Sequence, residues 1–254
     1  MLFSIISFNI RFGLADDGKN GWIHRKHAVA ELFKQYPSDF ICIQELNDFQ
    51  TEFVKELLPK YHYTGVHHPA PESWQNNVIF YRNTFKCLDQ QLFFLSETPS
   101  QPSKSWGSKW PRQCTIGRYK AGSSEFICLN THFDFKELAQ HKSARLIWQK
   151  ITTRFFDAPA ILAGDFNSEP DSTTYRWLTG QFDEPENPLP DFKETFKTPY
   201  PGTYHQFTGK PVTGLIDWVL YRGDLRLKKC LVIKDNFNGI FPSDHFPIMA
   251  YFEA

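Results

Sequence analysis

The chain has 254 residues, 28 basic and 28 acidic side chains, 41% hydrophobic and 17% aromatic residues, which suits one large domain able to bury its own core. Cys42, Cys87, Cys114, Cys128 and Cys230 are odd in number, scattered and without a CxxC pair, which excludes a disulfide framework or zinc knuckle and points to a reducing compartment. Zero formal net charge excludes a global field for polyanions, so binding of phosphate must rest on a local patch and avid tracking of duplex DNA is disfavoured.

The apolar opening, residues 1–10, lacks a basic leader region and breaks at Asn9 and Arg11, so it reads as a first strand rather than a signal peptide. No apolar run approaches the roughly 20 residues that cross a bilayer, and a soluble, cytoplasmic monomer is the expectation. Val29, Leu32, Phe33 and Tyr36 repeat at i, i+3, i+4 and i+7, as do Ala144, Ile147, Trp148, Ile151 and Phe155 to a similar degree, predicting two amphipathic helices. Strands are predicted over residues 2–8, 40–43, 78–81, 92–95, 126–129, 160–163, 216–221 and 248–252, where Phe, Ile, Val and Tyr supply β-compatible surface. Many short strands and few helices predict an α/β sandwich, two packed mixed sheets with helices outside, over residues 1–254 as one domain. Residues 62–76 and 96–112 read as ordered irregular loops, and residues 181–204 as a surface excursion rich in proline and acid.

Polar residues recur where apolar strands end. Phe40-Ile-Cys-Ile runs into Gln44-Glu45, Phe126-Ile-Cys-Leu into Asn130-Thr131-His132, and Ala160-Ile-Leu-Ala into Gly164-Asp165-Phe166-Asn167. Gathered at one sheet edge, such oxygen and imidazole donors suit a hard cation such as Mg²⁺. Each residue also has a plainer reading: Glu45 as a surface carboxylate, Asp165 and Asn167 as turn formers, His132 as a core histidine. Asp217 resists one, because a carboxylate inside Ile216-Asp217-Trp218-Val219-Leu220 must be paired to be tolerated; His245 is its expected partner.

Ser7-Phe8-Asn9-Ile10-Arg11, Gln44-Glu45, Asn130-Thr131-His132-Phe133-Asp134, Gly164-Asp165-Phe166-Asn167, Ile216-Asp217-Trp218 and Ser243-Asp244-His245, in that order, resemble the endonuclease/exonuclease/phosphatase superfamily with its DNase I-like fold. Leu95-Ser-Glu-Thr-Pro99 and Pro111-Arg112 look most like a bacterial branch of uncharacterised members, distantly similar to the deadenylase-like branch. The resemblance implies a four-layer α/β sandwich and a Mg²⁺-dependent phosphoesterase, Mn²⁺ being an alternative ion, that hydrolyses a phosphodiester or phosphomonoester by attack of water on phosphorus. It implies Glu45 as principal metal ligand, helped by Asn9 and, directly or through water, by Asp244. Asp165 and Asn167 would position or deprotonate the water, and His245 with Asp217 would stabilise the transition state or carry a proton. His132 would donate to a phosphate oxygen, and which group is the base stays open. One departure stands out: DNA-repair members carry an aspartate where this chain has Arg11, which cannot ligate a cation, so one main metal site is expected, with Arg11 pairing a carboxylate or touching phosphate.

From Thr98 to Ser124 there are Lys104, Lys109, Arg112, Arg118 and Lys120 with no acid, interleaved with Trp106, Trp110 and Tyr119. This reads as a solvated basic loop or as a substrate wall, with Arg112 on phosphate and Trp110 as a stacking platform for a nucleotide or single-stranded nucleic acid. Two other readings remain: a catalytically inactive scaffold on the same fold, and an inositol or lipid phosphatase.

Overall fold

The computed structural model describes residues 1–155, 158–181 and 189–254. The strands are β1 (Leu2–Asn9), β2 (Phe40–Leu46), β3 (Tyr61–Thr64), β4 (Asn76–Arg82), β5 (Lys86–Phe94), β6 (Gln113–Ala121), β7 (Ser124–His132), β8 (Ala160–Asp165), β9 (Lys193–Glu194), β10 (Asp217–Arg222), β11 (Arg226–Val232) and β12 (Ile248–Glu253). The α-helices are α1 (Trp22–Gln35), α2 (Asp48–Leu57), α3 (Glu137–Arg154) and α4 (Thr173–Leu178). Two six-stranded mixed sheets result, in the orders β11-β12-β1-β2-β4-β3 and β5-β6-β7-β8-β10-β9, packed face to face with helices outside as a four-layer α/β sandwich.

Period-two alternation sorts the central strands of the first sheet between two cores. Phe3 and Ile5, Phe40 and Cys42, and Ile79 and Tyr81 point between the sheets, while Ile6 and Phe8, Ile41 and Ile43, and Val78 and Phe80 join Val29, Leu32 and Phe33 of α1. Both faces are therefore covered, which explains the continuous apolar runs. Between the sheets Phe3 stacks on Phe126 at 4.5 Å, and Gln44 Nε2 donates to Asn130 Oδ1 at 2.6 Å. Asn130 Nδ2 in turn donates to the Ile43 and Val78 carbonyls, each at 2.9 Å, so the apolar interface ends in a buried polar pin between the sheets.

Each sheet carries one parallel pair, β1 with β2 and β7 with β8, and the C-terminal ends of all four strands meet at the same edge of the sandwich. Register places Asn9 beside Gln44, and His132 beside Asp165. The antiparallel β10 begins there too, with Asp217 opposite Asp165. Gly164 makes this close approach possible: its φ is +155°, and a Cβ there would lie 2.0 Å from the Thr131 carbonyl oxygen.

Several expectations change. The irregular segment over 62–76 begins as an edge strand, since β3 pairs with β4 from Tyr61 to Thr64. The excursion over 181–204 contains the two-residue β9, and its residues 182–188 lie outside the described residues. The basic stretch from 98 to 124 is not one wall. Arg118 and Lys120 ride on β6 toward the end opposite Gln113, Arg118 pairing with Glu125, so only the Lys109–Arg112 part borders the strand-end edge.

Candidate active site

Three residues of this edge have left-handed backbones: Arg11 at φ 67°, Glu45 at φ 61° and Asn167 at φ 48°. Such conformations cost non-glycine residues of order 1–3 kcal/mol and persist where the surroundings enforce them. At Glu45 the result is visible as a register shift between β2 and β4 from Ile43 to Leu46, which turns the carboxylate off the pleat. Phe12 N then donates to Glu45 Oε2 at 2.7 Å and Asn9 Nδ2 to Oε1 at 3.1 Å.

Asp165 sits at the centre, 1% exposed. Its Oδ1 accepts from Asn167 N at 2.9 Å and its Oδ2 from Asn9 Nδ2 at 2.9 Å, with His132 Nε2 at 3.4 Å and His245 Nε2 at 3.8 Å from the same oxygen. Burial, then the charge of Asp217, push this carboxyl up to about 7, although His245 pulls the other way. His245 Nδ1 lies 2.9 Å from Asp217 Oδ2, the partnership expected from the sequence. Burial opposes charge on that imidazole, yet Asp217 and Asp165 together hold its pKa well above the usual histidine range. The two carboxylates thus favour the imidazolium form, whose Nδ1 donates to Asp217 while Nε2 faces Asp165 at 3.8 Å.

His132 is the contrast. Burial, then the Arg112 cation, push it well below the usual range. Arg112 Nη1 lies 3.0 Å from His132 Nδ1, and a guanidinium only donates, so Nδ1 accepts there, while Nε2 stands 3.0 Å from Asn167 Nδ2 and 3.4 Å from Asp165 Oδ2. Arg112 is 8% exposed, its Nε has no hydrogen-bond partner, and its carboxylate neighbour Asp134 is 3.9 Å away. Burial lowers its pKa. A desolvated cation with donors to spare suits an incoming anion. Arg11, by contrast, forms a two-pronged pair with Asp17 at 2.9 and 2.8 Å and stands 3.7 Å from Asp244 Oδ2, so of the two expected uses the carboxylate is the one formed, with a partner outside every motif.

Two adjoining cavities open over these groups. One, of about 350 Å³, is lined by Glu45, His132, Asp165, Asn167, Asp244 and His245 among others; the second, of about 400 Å³, is bordered by Trp110, Arg112, Ser73 and Gln75. Arg11, Glu45 and Phe135 line both. All sequence-predicted site residues thus meet here except Asn9 and Asp217, which stand behind the wall as partners of Glu45, Asp165 and His245. Another cleft of about 700 Å³, between Trp106 and α3, holds none of them.

The donor chemistry around Glu45 suits a hard cation: the carboxylates lining the cavity are Glu45, Asp165, Glu169 and Asp244, with no thiol among the lining residues. Asn9 Oδ1 accepts from Arg11 N at 2.9 Å while its amide nitrogen faces both carboxylates, so Asn9 orients Glu45 and Asp165. Among the described residues the tightest set of potential ligands is Asp165, Asp217 and His245, with ligand atoms within 4.8 Å. That set reads better as an acid–base group, because Asp217 and His245 already engage each other.

Sequence reasoning did not single out three supporting residues. Arg25, fully buried on the apolar stripe of α1, donates to the carbonyls of Ile10, Arg11 at 2.8 Å and Pro242 at 3.0 Å, tying together the two loops that carry Asn9 and Asp244. Its signal was an arginine in step with Val29 and Leu32. Gln140 Nε2 donates to the Asp134 and Asn167 carbonyls at 2.8 and 3.0 Å, and Asp134, 2% exposed, gathers the 108–110 turn. Asp134 stood at the end of a quoted motif without an assigned role, and Gln140 carried no motif; their links to Ser108, Lys109 and Asn167 span 25 to 27 residues.

The sequence pattern of the Endonuclease/Exonuclease/phosphatase family matches residues 6–105 and 132–245. Nocturnin of Drosophila melanogaster is 27% identical over 91% of this chain, which spans 42% of that protein's length. An endonuclease/exonuclease/phosphatase family protein of Bacteroides thetaiotaomicron superimposes with a TM-score of 0.88 at 27% identity, covering 99% of this chain and 97% of the other. A mannosyl-6-phosphatase of the same bacterium gives a TM-score of 0.87 at 27% identity, covering 99% of this chain and 100% of the other.

Proposed function

The chain belongs to the endonuclease/exonuclease/phosphatase family, a family of hydrolases acting on phosphoester bonds, and from that premise we propose that its 254 residues form one domain, a Mg²⁺- or Mn²⁺-dependent phosphoesterase acting on a small phosphorylated substrate. The observation that carries this reading is the convergence of Glu45, His132, Asp165, Asn167 and His245 on one cavity, with Asp217 locked to His245 behind it. The inactive-scaffold reading predicts gaps in this set, and the set is whole. The mannosyl-6-phosphatase named above lends support to a small phosphate ester over a polymer.

Glu45 and Asp244 would hold one cation, which when bound neutralises phosphoryl oxygens and stabilises the leaving oxygen. Arg112 supplies a fixed positive charge to the phosphate, and the neutral His132 ring, held between Arg112 and Asn167, borders the same space. Asn167, clamped by Gln140, orients the attacking water. Asp165, poised near neutrality, accepts a proton from that water as its oxygen bonds to phosphorus. The ester bond on the opposite side breaks, and the leaving oxygen takes a proton from solvent. The imidazolium of His245 meets the negative charge that builds on the phosphoryl oxygens, with Asp217 fixing its ring.

A panel of phosphomonoesters, phosphodiesters, RNA and DNA, assayed with Mg²⁺, with Mn²⁺ and with chelator, tests the reading. Metal-dependent turnover of a small ester is expected; full turnover in excess EDTA, or no hydrolysis of any member, would refute it.

A further inference from the structure

Directly above the site stands an aromatic corner that no motif predicted as a unit. Phe135 is 61% exposed and Trp110 43% exposed, and their rings meet at 6.2 Å with an angle of 66° between planes. The corner is built rather than incidental, because the buried Asp134 holds both arms. Its Oδ2 accepts from Lys109 N at 2.9 Å and lies 3.1 Å from Ser108 Oγ, fixing the turn that ends in Trp110. Its Oδ1 accepts from Lys136 N at 3.2 Å, and its carbonyl accepts from Gln140 at 2.8 Å, fixing the chain on either side of Phe135. The Arg112 guanidinium carbon lies 5.5 Å from the Trp110 ring and 6.0 Å from Phe135, so the cation offered to phosphate and the apolar walls belong to one assembly.

Phe135 borders both cavities, of about 350 and 400 Å³, and cavities of that order hold one small molecule rather than a polymer. Resting on the phosphoesterase reading, we infer that Phe135 and Trp110 select esters whose alcohol is a ring with an apolar face, of the size of one sugar or one nucleoside. The phosphate lies against Arg112 and the ring seats on Phe135, while Asp134 is the positioning residue that sets the angle. Aromatic side chains take sugar and base faces alike by dispersion and desolvation, so the ring is the shared chemistry and its source is an arm of the test.

The test compares initial rates with Mg²⁺ on a hexose 6-phosphate, its open-chain hexitol 6-phosphate, a nucleoside 5′-monophosphate and a dinucleotide. At least one ring ester should exceed the open-chain ester in kcat/KM by roughly tenfold, the scale of one aromatic stack, and which ring wins identifies the source. Phe135→Ala should bring that ratio near one through KM, Phe135→Trp should restore it, and Asp134→Asn should lower it in the same direction. Equal turnover of ring and open-chain esters, a dinucleotide as best substrate, or a Phe135→Ala loss confined to kcat would overturn the inference. If none of the esters is hydrolysed, the catalytic reading is what fails. Calorimetric binding of the same ring and open-chain esters then decides the corner by the same ratio.

Discussion

Replacing Asp217 by asparagine removes one charge from the centre of the site while keeping its shape. Asp217 is 2% exposed and meets His245 Nδ1 at 2.9 Å. With charge centres roughly 4 Å apart and an effective dielectric constant near 20, the lost attraction is about 4 kcal/mol. Asp165, 3.8 Å from Nε2, remains and keeps part of the effect, so the imidazolium pKa should fall while staying under the influence of that second carboxylate. The sign follows from the pair. His245 is held above its ordinary pKa by its carboxylate neighbours, so activity that needs the imidazolium is lost as pH rises through the folded value. Weakening the pair moves that alkaline limb to lower pH. The charge-assisted hydrogen bond itself is worth roughly 1.5–3 kcal/mol, so kcat on the plateau should drop about 10- to 150-fold. The assay is a kcat–pH profile at saturating metal and substrate for wild type, Asp217→Asn, His245→Ala and the double variant. Because the two residues act as one unit, the double variant should be scarcely slower than His245→Ala. Additive losses, or an alkaline limb that does not move, would refute the pairing.

Glu45→Gln should abolish metal-dependent turnover and calorimetric Mg²⁺ binding while leaving Tm within a few degrees, since the amide keeps the shape; wild-type rates in this variant would move the metal elsewhere. The Asp165 carboxyl lies near 7 through burial and then Asp217, and only its ionised form accepts a proton. The value of kcat/KM should therefore rise with pH to a plateau above about 7, and an acid limb that survives in the residual activity of Asp165→Asn would assign it to another group. Arg112→Ala should lower kcat/KM by roughly tenfold or more on small phosphate esters, the scale of a charge-assisted contact. An unchanged variant would place the phosphate away from this cation.

Strand existence was legible where burial is two-sided. Residues 2–8, 40–43 and 160–163 lie in strands whose faces are both covered, so the apolar run is continuous and plain. Strand length was not legible at the sheet edges. β5 starts at Lys86 rather than 92 because Lys86 to Gln91 alternate between exposed and half-buried, and β11 likewise has no fully buried residue and is broken by Lys228-Lys229. Helix α2 carried two readable signals, the Asn47 and Gln50 capping box that marks its start and the helical spacing of Phe49, Phe53 and Leu57, of which Phe53 and Leu57 pack with Val54 into the core.

The site divides along the same line. Glu45, His132, Asp165 and Asp217 were legible because each interrupts or ends an apolar strand, and an ionisable group in that position requires a partner. What surrounds them was not, because its logic is backbone geometry rather than residue type. Glu45 reaches the cavity through a left-handed residue and a register shift, and neither leaves a trace in composition. Arg11 shows how far this extends. Its φ of 67° turns the chain so that its guanidinium meets Asp17 in two bonds while still standing 3.7 Å from Asp244. A carboxylate so paired binds a cation less strongly than a free one, since the arginine already neutralises part of its charge. Among the described residues no arginine or lysine lies within ion-pair distance of Glu45, whose neighbour at 3.9 Å is the imidazole of His132, which burial keeps neutral. Asp244 is thus the more compensated of the two carboxylates, which supports the proposed metal position beside Glu45.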